Sequence, residues 1–212
     1  MVKRLIFDLD DTIIMWDAKY DLSLEKALND FNISYDDDVL KALVRVINEY
    51  DDVYDIYKFE NFKTMMSKYT QIDLPIGFAE RWNEYLYLAF PQEKDLELID
   101  ILEYLSRKYE LVILSNWFTK TQIERLKNYG VLKYFKEVIG TDLVRNKPSK
   151  EAFLKACGKY DINECIMIGD SLEKDVKGAL NAGIRAILYD YKNIYTGDIE
   201  NIKNISELKN IL

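Results

Sequence analysis

Short apolar runs punctuate the chain at residues 5–7, 111–114, 138–139, 165–168 and 186–188, and each reads as a buried strand. Between the later runs, apolar and polar positions follow helical spacing. Residues 96–108 place Leu98, Ile99, Leu102 and Leu105 on one face, and residues 121–129 end at Gly130, a C-cap residue. Residues 150–160 and 172–182 continue the pattern, the last stopping at Gly183. Strand alternating with helix predicts an α/β fold: a doubly wound parallel sheet covered on both faces.

Residues 15–91 break that rhythm. Their spacing is helical at 22–31, 37–50, 59–69 and 76–90, with little strand signal. The expected organisation is an α/β core of residues 1–14 and 92–212, interrupted by a mostly α-helical domain at 15–91, with Pro91 as the return boundary. Tyr and Trp recur through this insert, from Trp16 and Tyr20 to Tyr85 and Tyr87. Most are expected to fill its core, with one or two facing a ligand.

At 212 residues there is room for one large domain, or one domain carrying a smaller insert. Apolar residues make up 49% of the chain, enough for a packed core. No apolar run approaches the roughly 20 residues of a membrane span, and the N-terminal apolar stretch is too short for a signal peptide and ends in acids. Cys157 and Cys165 are the only cysteines, which excludes a disulfide framework and fits the cytoplasm. Neither opens a Cys-x5-Arg nucleophile loop, because Asn163 and Ser171 stand six positions on.

The chain has no histidine. That excludes Ser-His-Asp triads, Cys-His dyads, phosphohistidine chemistry and His-ligated zinc. Acid–base work falls to Asp, Glu, Lys or Tyr, and a carboxylate-rich chain suits a hard metal such as Mg²⁺. The net charge of −8 is concentrated in the insert, where 15 acidic residues face 8 basic ones. An acidic insert argues against wrapping a nucleic-acid backbone, and most of these charges serve solubility.

Four segments carry candidate chemistry. The first strand runs into Asp8-Leu9-Asp10-Asp11-Thr12. Parallel sheets present ligands at the carboxyl ends of their strands, which places Asp8 at that edge with Asp10 able to face the same crevice. One carboxylate can attack or bind a metal while the other moves a proton; equally, Asp is common in turns. The second strand ends in Ser115-Asn116. A hydroxyl and a backbone N–H there can hold a phosphate oxygen, or either residue can cap a helix. Lys147 stands just before Pro148, a pairing that suits the first turn of a helix. A lysine fixed there can neutralise a phosphate and an attacking carboxylate together, or be one of 29 solvated basic residues. The fourth segment, Ile166-Met167-Ile168-Gly169-Asp170, again ends a strand in an acid. Gly169 permits close backbone approach, and Asp175, about one helical turn on, can turn back toward Lys147 or a metal-bound water. Gly178, Ala179, Ala182 and Gly183 would allow tight helix-on-sheet packing.

With Asp8-Leu9-Asp10-Asp11-Thr12, Ser115-Asn116, Lys147-Pro148 and Gly169-Asp170 with Asp175 in this order, the sequence resembles the haloacid dehalogenase superfamily of hydrolases. The resemblance covers residues 1–14 and about 92–212. The insert is similar to the family's helical C1-type cap in position and helical character only. The resemblance implies a Rossmann-like core and a Mg²⁺-dependent phosphatase acting on small phosphate monoesters. Asp8 would be the nucleophile, forming an aspartyl-phosphate, and Asp10 would protonate the leaving oxygen and then activate water. Ser115, Asn116 and Lys147 would hold the phosphoryl oxygens. Asp8, Asp170 and the Asp10 backbone carbonyl would bind Mg²⁺, with Asp175 and Thr12 supporting from behind.

Asp10 separates branches of that superfamily: true dehalogenases lack an acid there, and P-type ATPases carry Lys and need membrane helices. The overall layout leans toward nucleoside 5′-monophosphates, with phosphoglycolate and sugar phosphates open. A phosphosugar mutase is the alternative within enzymes. A receiver-like signalling module is the alternative outside them, but receivers are far shorter and carry their phosphorylated Asp after the third strand. The expected partner is a small molecule, with neither a nucleic-acid polymer nor a membrane, and the expected state is a monomer or weak homo-oligomer.

Overall fold

The short apolar runs form strands β1 (Arg4–Phe7), β2 (Glu110–Ser115), β3 (Phe135–Gly140), β4 (Cys165–Gly169) and β5 (Arg185–Tyr189) in the computed structural model, which describes residues 1–15, 20–86 and 94–212. A sixth strand, β6 (Asn201–Ile202), pairs with Leu188 and Tyr189. Two residues are too short to leave an apolar run, so the sequence pattern does not announce it. All pairings are parallel and the order is β3-β2-β1-β4-β5-β6. β1 therefore lies between β2 and β4, with Phe7 opposite Ile113 on one side and Ile168 on the other.

Successive strand residues point to opposite faces, and both faces are covered. Leu5, Phe7, Ile113, Ile166 and Ile168 pack with Leu98, Leu102 and Leu105 of α5 (Leu96–Ser106) and Leu126 of α6 (Thr119–Tyr129). Ile6, Val112, Leu114 and Met167 pack with Phe153 and Ala156 of α7 (Lys150–Cys157) and Ala179 of α8 (Gly178–Ala182). Each of the larger apolar side chains among these is worth roughly 1.5–3 kcal/mol of burial, the alanines less. Gly178 has no room for a side chain: a Cβ would meet the Phe153 ring at 2.7 Å. At Gly178 the close packing is therefore helix on helix, of α8 on α7, while Ala179 and Ala182 pack in the cluster that covers the sheet. The chain closes with α9 (Leu208–Ile211), whose Leu208 joins the first face.

Contacts divide the chain into two compact units, Met1–Trp16 with Gln92–Leu212, and Asp17–Pro91. Trp16, Tyr87 and Pro91 lie outside the described residues. The second unit is helical: α1 (Tyr20–Asp30), α2 (Asp37–Val53), α3 (Phe59–Thr70) and α4 (Phe78–Tyr85). Gly77, at φ 88°, sets the start of α4 two residues later than the spacing predicts. Tyr50 stacks on Phe62 with ring centroids 3.7 Å apart and planes 6° from parallel, and Trp82 lies 5.8 Å from Phe62. Tyr20, Tyr50, Tyr57 and Trp82 are buried, so these four aromatics fill the unit's core. No helix among the described residues is long and apolar enough to cross a membrane.

Candidate active site

The acids after β1 sit in a tight turn fixed by the backbone. The Asp8 N–H donates to the Ile168 carbonyl at 2.9 Å, extending the β1–β4 ladder by one rung. The N–H groups of Ile13 and Ile14 then return to the Leu9 carbonyl, both at 2.9 Å. Leu9, Ile13 and Ile14 are buried and anchor the turn, and Asp11 takes the left-handed conformation at φ 57°, which Asp tolerates. In a sheet of this order the strand sequence reverses between β1 and β4, where such sheets open a crevice. Asp8 and Asp170 follow those two strands.

Lys147 joins the first and fourth segments. Its buried ammonium donates to Asp8 Oδ1 at 2.5 Å and to Asp175 Oδ1 at 2.6 Å. Asn116 fixes the lysine's backbone: its Nδ2 donates to the Lys147 carbonyl at 3.0 Å and its Oδ1 accepts from the Lys147 N–H at 2.8 Å. The Asn116 amide is therefore a clamp on the neighbouring loop. Pro148 precedes α7 by two residues, with a cis peptide before it, so the expected place in the first helical turn is not where it lies.

The helix expected at 172–182 begins as a π-turn over Leu172–Lys177 and becomes α8 only at Gly178. The Ser171 carbonyl accepts from both Asp175 N–H, at 3.0 Å, and Val176 N–H, at 3.2 Å. This wider turn carries Asp175 back over the strand end, where its Oδ2 accepts from the Ser171 N–H at 3.0 Å. Gly169 makes room for it, because a Cβ there would meet Asp175 Oδ2 at 2.4 Å. Thr12 ties the first segment to the fourth: its Oγ1 accepts from the Asp170 N–H at 3.1 Å.

Burial and mutual repulsion raise the acids. Asp8 is pushed well above the usual carboxylate range by burial, and the charges of Asp175 and Asp10 add to this against the opposing pull of Lys147. Asp170 is raised to about 7 by burial and by the charges of Asp175 and Asp11. Burial works to lower Lys147, but Asp175 and Asp8 outweigh it and its ammonium is held charged. One lysine thus faces three carboxylates. One oxygen from each of Asp8, Asp170 and Asp175 lies within 4.8 Å of the others. An all-oxygen donor set with excess negative charge, little exposed to water, fits a hard divalent cation. A cavity of about 280 Å³ opens beside Asp170, between Leu172 and the segment 188–195, where the Lys192 ammonium lies 5.0 Å from the centre of the Tyr191 ring.

Two functional candidates escape the strand-end reading. Gln122 and Arg125 of α6 are both buried. Arg125 Nη2 donates to Asp10 Oδ1 at 2.5 Å, and Gln122 Nε2 donates to Ser115 Oγ at 2.7 Å. The signal was present in the helical spacing. Gln122 and Arg125 share the inward face with Leu126 and Tyr129, and polar groups on such a face need partners.

A profile of the haloacid dehalogenase-like hydrolases matches residues 2–183. The chain is 29% identical, over 229 aligned positions and 100% of both proteins, to the glyceraldehyde 3-phosphate phosphatase of Methanothermobacter thermautotrophicus. It is 27% identical to the pyrimidine 5′-nucleotidase PynA of Streptococcus pneumoniae, over 89% of this chain and 84% of that one. Among solved structures, the HAD-hydrolase YfnB of Bacillus subtilis bound to magnesium shares the fold, with a TM-score of 0.73 over 99% of this chain and 98% of its own, at 22% identity.

Proposed function

This chain belongs to the haloacid dehalogenase-like hydrolases, and from that premise we propose that it is a Mg²⁺-dependent phosphatase of small phosphate monoesters working through an aspartyl-phosphate. The observation that carries the reading is the buried contact of Asp8 with Lys147, set at the carboxyl ends of β1 and β4 together with Asp170 and Asp175.

The roles follow from placement. Asp8 is the nucleophile: one carboxylate oxygen attacks phosphorus, and the leaving oxygen departs with its electron pair. Asp10, with a side chain 30% exposed at the turn, gives that oxygen a proton and later takes one from the attacking water. Ser115 and Lys147 hold phosphoryl oxygens, and the clamp from Asn116 keeps Lys147 in place. Asp8, Asp170 and the Asp10 carbonyl hold the metal, with Asp175 and Thr12 bracing Lys147 and Asp170. When bound, Mg²⁺ offsets the charge that phosphate and carboxylates bring together. Residues 15–91 are the cap domain and read the leaving group, because all four signature segments lie outside them.

The sequence layout leans toward nucleoside 5′-monophosphates, while the relative aligned end to end is named for a triose phosphate. That favours a small polar leaving group over a nucleoside. The deciding experiment is release of inorganic phosphate from glyceraldehyde 3-phosphate, pyrimidine nucleoside monophosphates and sugar phosphates, with Mg²⁺ and with chelator. Release should require the metal, and Asp8→Asn should lower it by several orders of magnitude while the protein stays folded. Substantial turnover by Asp8→Asn, or phosphate kept on an organic acceptor as in a mutase, overturns the reading.

A further inference from the structure

We infer that Arg125 is a positioning residue for proton transfer by Asp10, and that Gln122 couples this pair to the phosphate-holding hydroxyl of Ser115. The inference rests on the role given to Asp10 above.

Arg125 spans two acceptors with its planar fork: Nη2 donates to Asp10 Oδ1 at 2.5 Å, and Nη1 donates to Gln122 Oε1 at 2.8 Å. Gln122, fully buried, passes the connection on, its Nε2 donating to Ser115 Oγ at 2.7 Å and approaching Asp10 Oδ2 at 3.5 Å. The chain Asp10–Arg125–Gln122–Ser115 thus runs from one strand end to the next across the face of α6. Burying a guanidinium costs free energy that an apolar side chain would not, and the same face of α6 otherwise carries Leu126 and Tyr129. A stability role alone would be met by a methionine or leucine. What only arginine supplies is a planar fork with one prong on Asp10 Oδ1 and the other on Gln122 Oε1, which holds the Gln122 amide facing Asp10 Oδ2.

Asp10 needs such support. It stands three residues past the end of β1, and its side chain is only partly buried. Proton transfer demands a carboxylate within about 2.6–3.2 Å of the reacting oxygen. A carboxylate free to rotate meets that geometry in a fraction of encounters. Arg125 touches no reacting atom; together with Gln122 it offers a donor to each oxygen of Asp10 and so restricts the carboxylate's rotation.

The balance of the first half-reaction supplies the test. The Asp8–phosphorus bond forms, the phosphorus–oxygen bond to the leaving group breaks, and the departing oxygen takes the proton of Asp10. An alkoxide needs that proton, whereas p-nitrophenolate leaves as a stable anion. The ratio kcat/KM reports this step, before water attacks. In the native protein, Arg125→Met should lower kcat/KM for alkyl phosphates by roughly 10- to 100-fold, and about tenfold more than it lowers kcat/KM for p-nitrophenyl phosphate. Asp10→Asn should show the same discrimination more strongly, and Arg125→Lys should recover part of the loss. Mg²⁺ affinity by calorimetry reports whether each variant is folded at the metal site. If Arg125→Met does not fold, Arg125→Lys decides, because it keeps the charge and loses the fork: discrimination between leaving groups supports the inference and its absence overturns it. Equal loss on both substrate classes makes Arg125 a structural residue and also overturns it. If Asp10→Asn itself shows no discrimination, the role of Asp10 fails first; if Asp10→Asn discriminates and the folded Arg125 variants do not, only the inference about Arg125 falls.

Discussion

A single hydrogen atom in place of a side chain at position 169 decides where Asp175 can stand. A methyl group there would lie 2.4 Å from Asp175 Oδ2 and 2.5 Å from its Cγ, well inside contact distance. Asp175 could not yield without releasing Lys147 and the Ser171 N–H. Gly169→Ala should therefore cost about 1–3 kcal/mol of stability through overpacking, and should weaken Mg²⁺ binding about tenfold or more by disturbing the carboxylate cluster. Denaturant unfolding and a calorimetric metal titration check both; an unchanged Mg²⁺ affinity would sink the second half. The sequence marks Gly169 as a place of close approach, but the approaching atom belongs to a residue six positions on, seated by a turn geometry that spacing does not reveal.

Elements announce themselves by periodicity and are finished by their ends. α2 carries a clear signal at its start: Asp36 accepts from the N–H groups of Asp38 at 3.1 Å and Val39 at 3.0 Å. Asp36→Ala should lower the stability of the insert by about 1 kcal/mol, measured as a shift in the denaturant midpoint at constant slope; no shift would mean that water satisfies those donors equally well. At 172–182 the apolar pattern reads as one continuous helix, and the chain instead makes a π-turn before α8. A π-turn adds only one residue to one turn, so apolar spacing over so short a stretch does not separate it from an α-helix. What accompanies it is tertiary: in the widened turn Asp175 bonds both Lys147 and Ser171.

Across the whole molecule, the buried acids link metal binding to global stability. Asp8 and Asp170 titrate above the usual carboxylate range, Asp170 at about 7. The metal-free fold therefore holds protons that the unfolded chain has already released. That contribution to stability is fully present below the unfolded value near 4 and is lost as pH rises through about 7. The lowered carboxyls of Asp30, Glu49 and Glu164 titrate beneath this window and do not reverse its sign there. The melting temperature of the metal-free protein should fall between pH 5.5 and 7.5. Mg²⁺ should raise it more at pH 7.5 than at pH 5.5, because binding at the lower pH must first displace protons. An equal or larger metal-induced shift at pH 5.5 would contradict the assignment of these acids to one site.

Strand, helix and the presence of a helical insert are legible because each rests on local spacing: apolar runs for strands, helical periodicity between them, and loss of strand signal through the insert. The strand-end acids were legible too, since a strand's carboxyl edge is fixed by its own direction. Which of these segments face each other is fixed by the packed fold alone. Asp10 and Arg125 are separated by 115 positions, and Asn116 and Lys147 by 31. No local pattern joins them. The first meeting depends on β1 lying beside β2, and the second on β2 lying beside β3. Gln122 and Arg125 on the inward face of α6 need polar partners, and the sheet order decides which ones they meet.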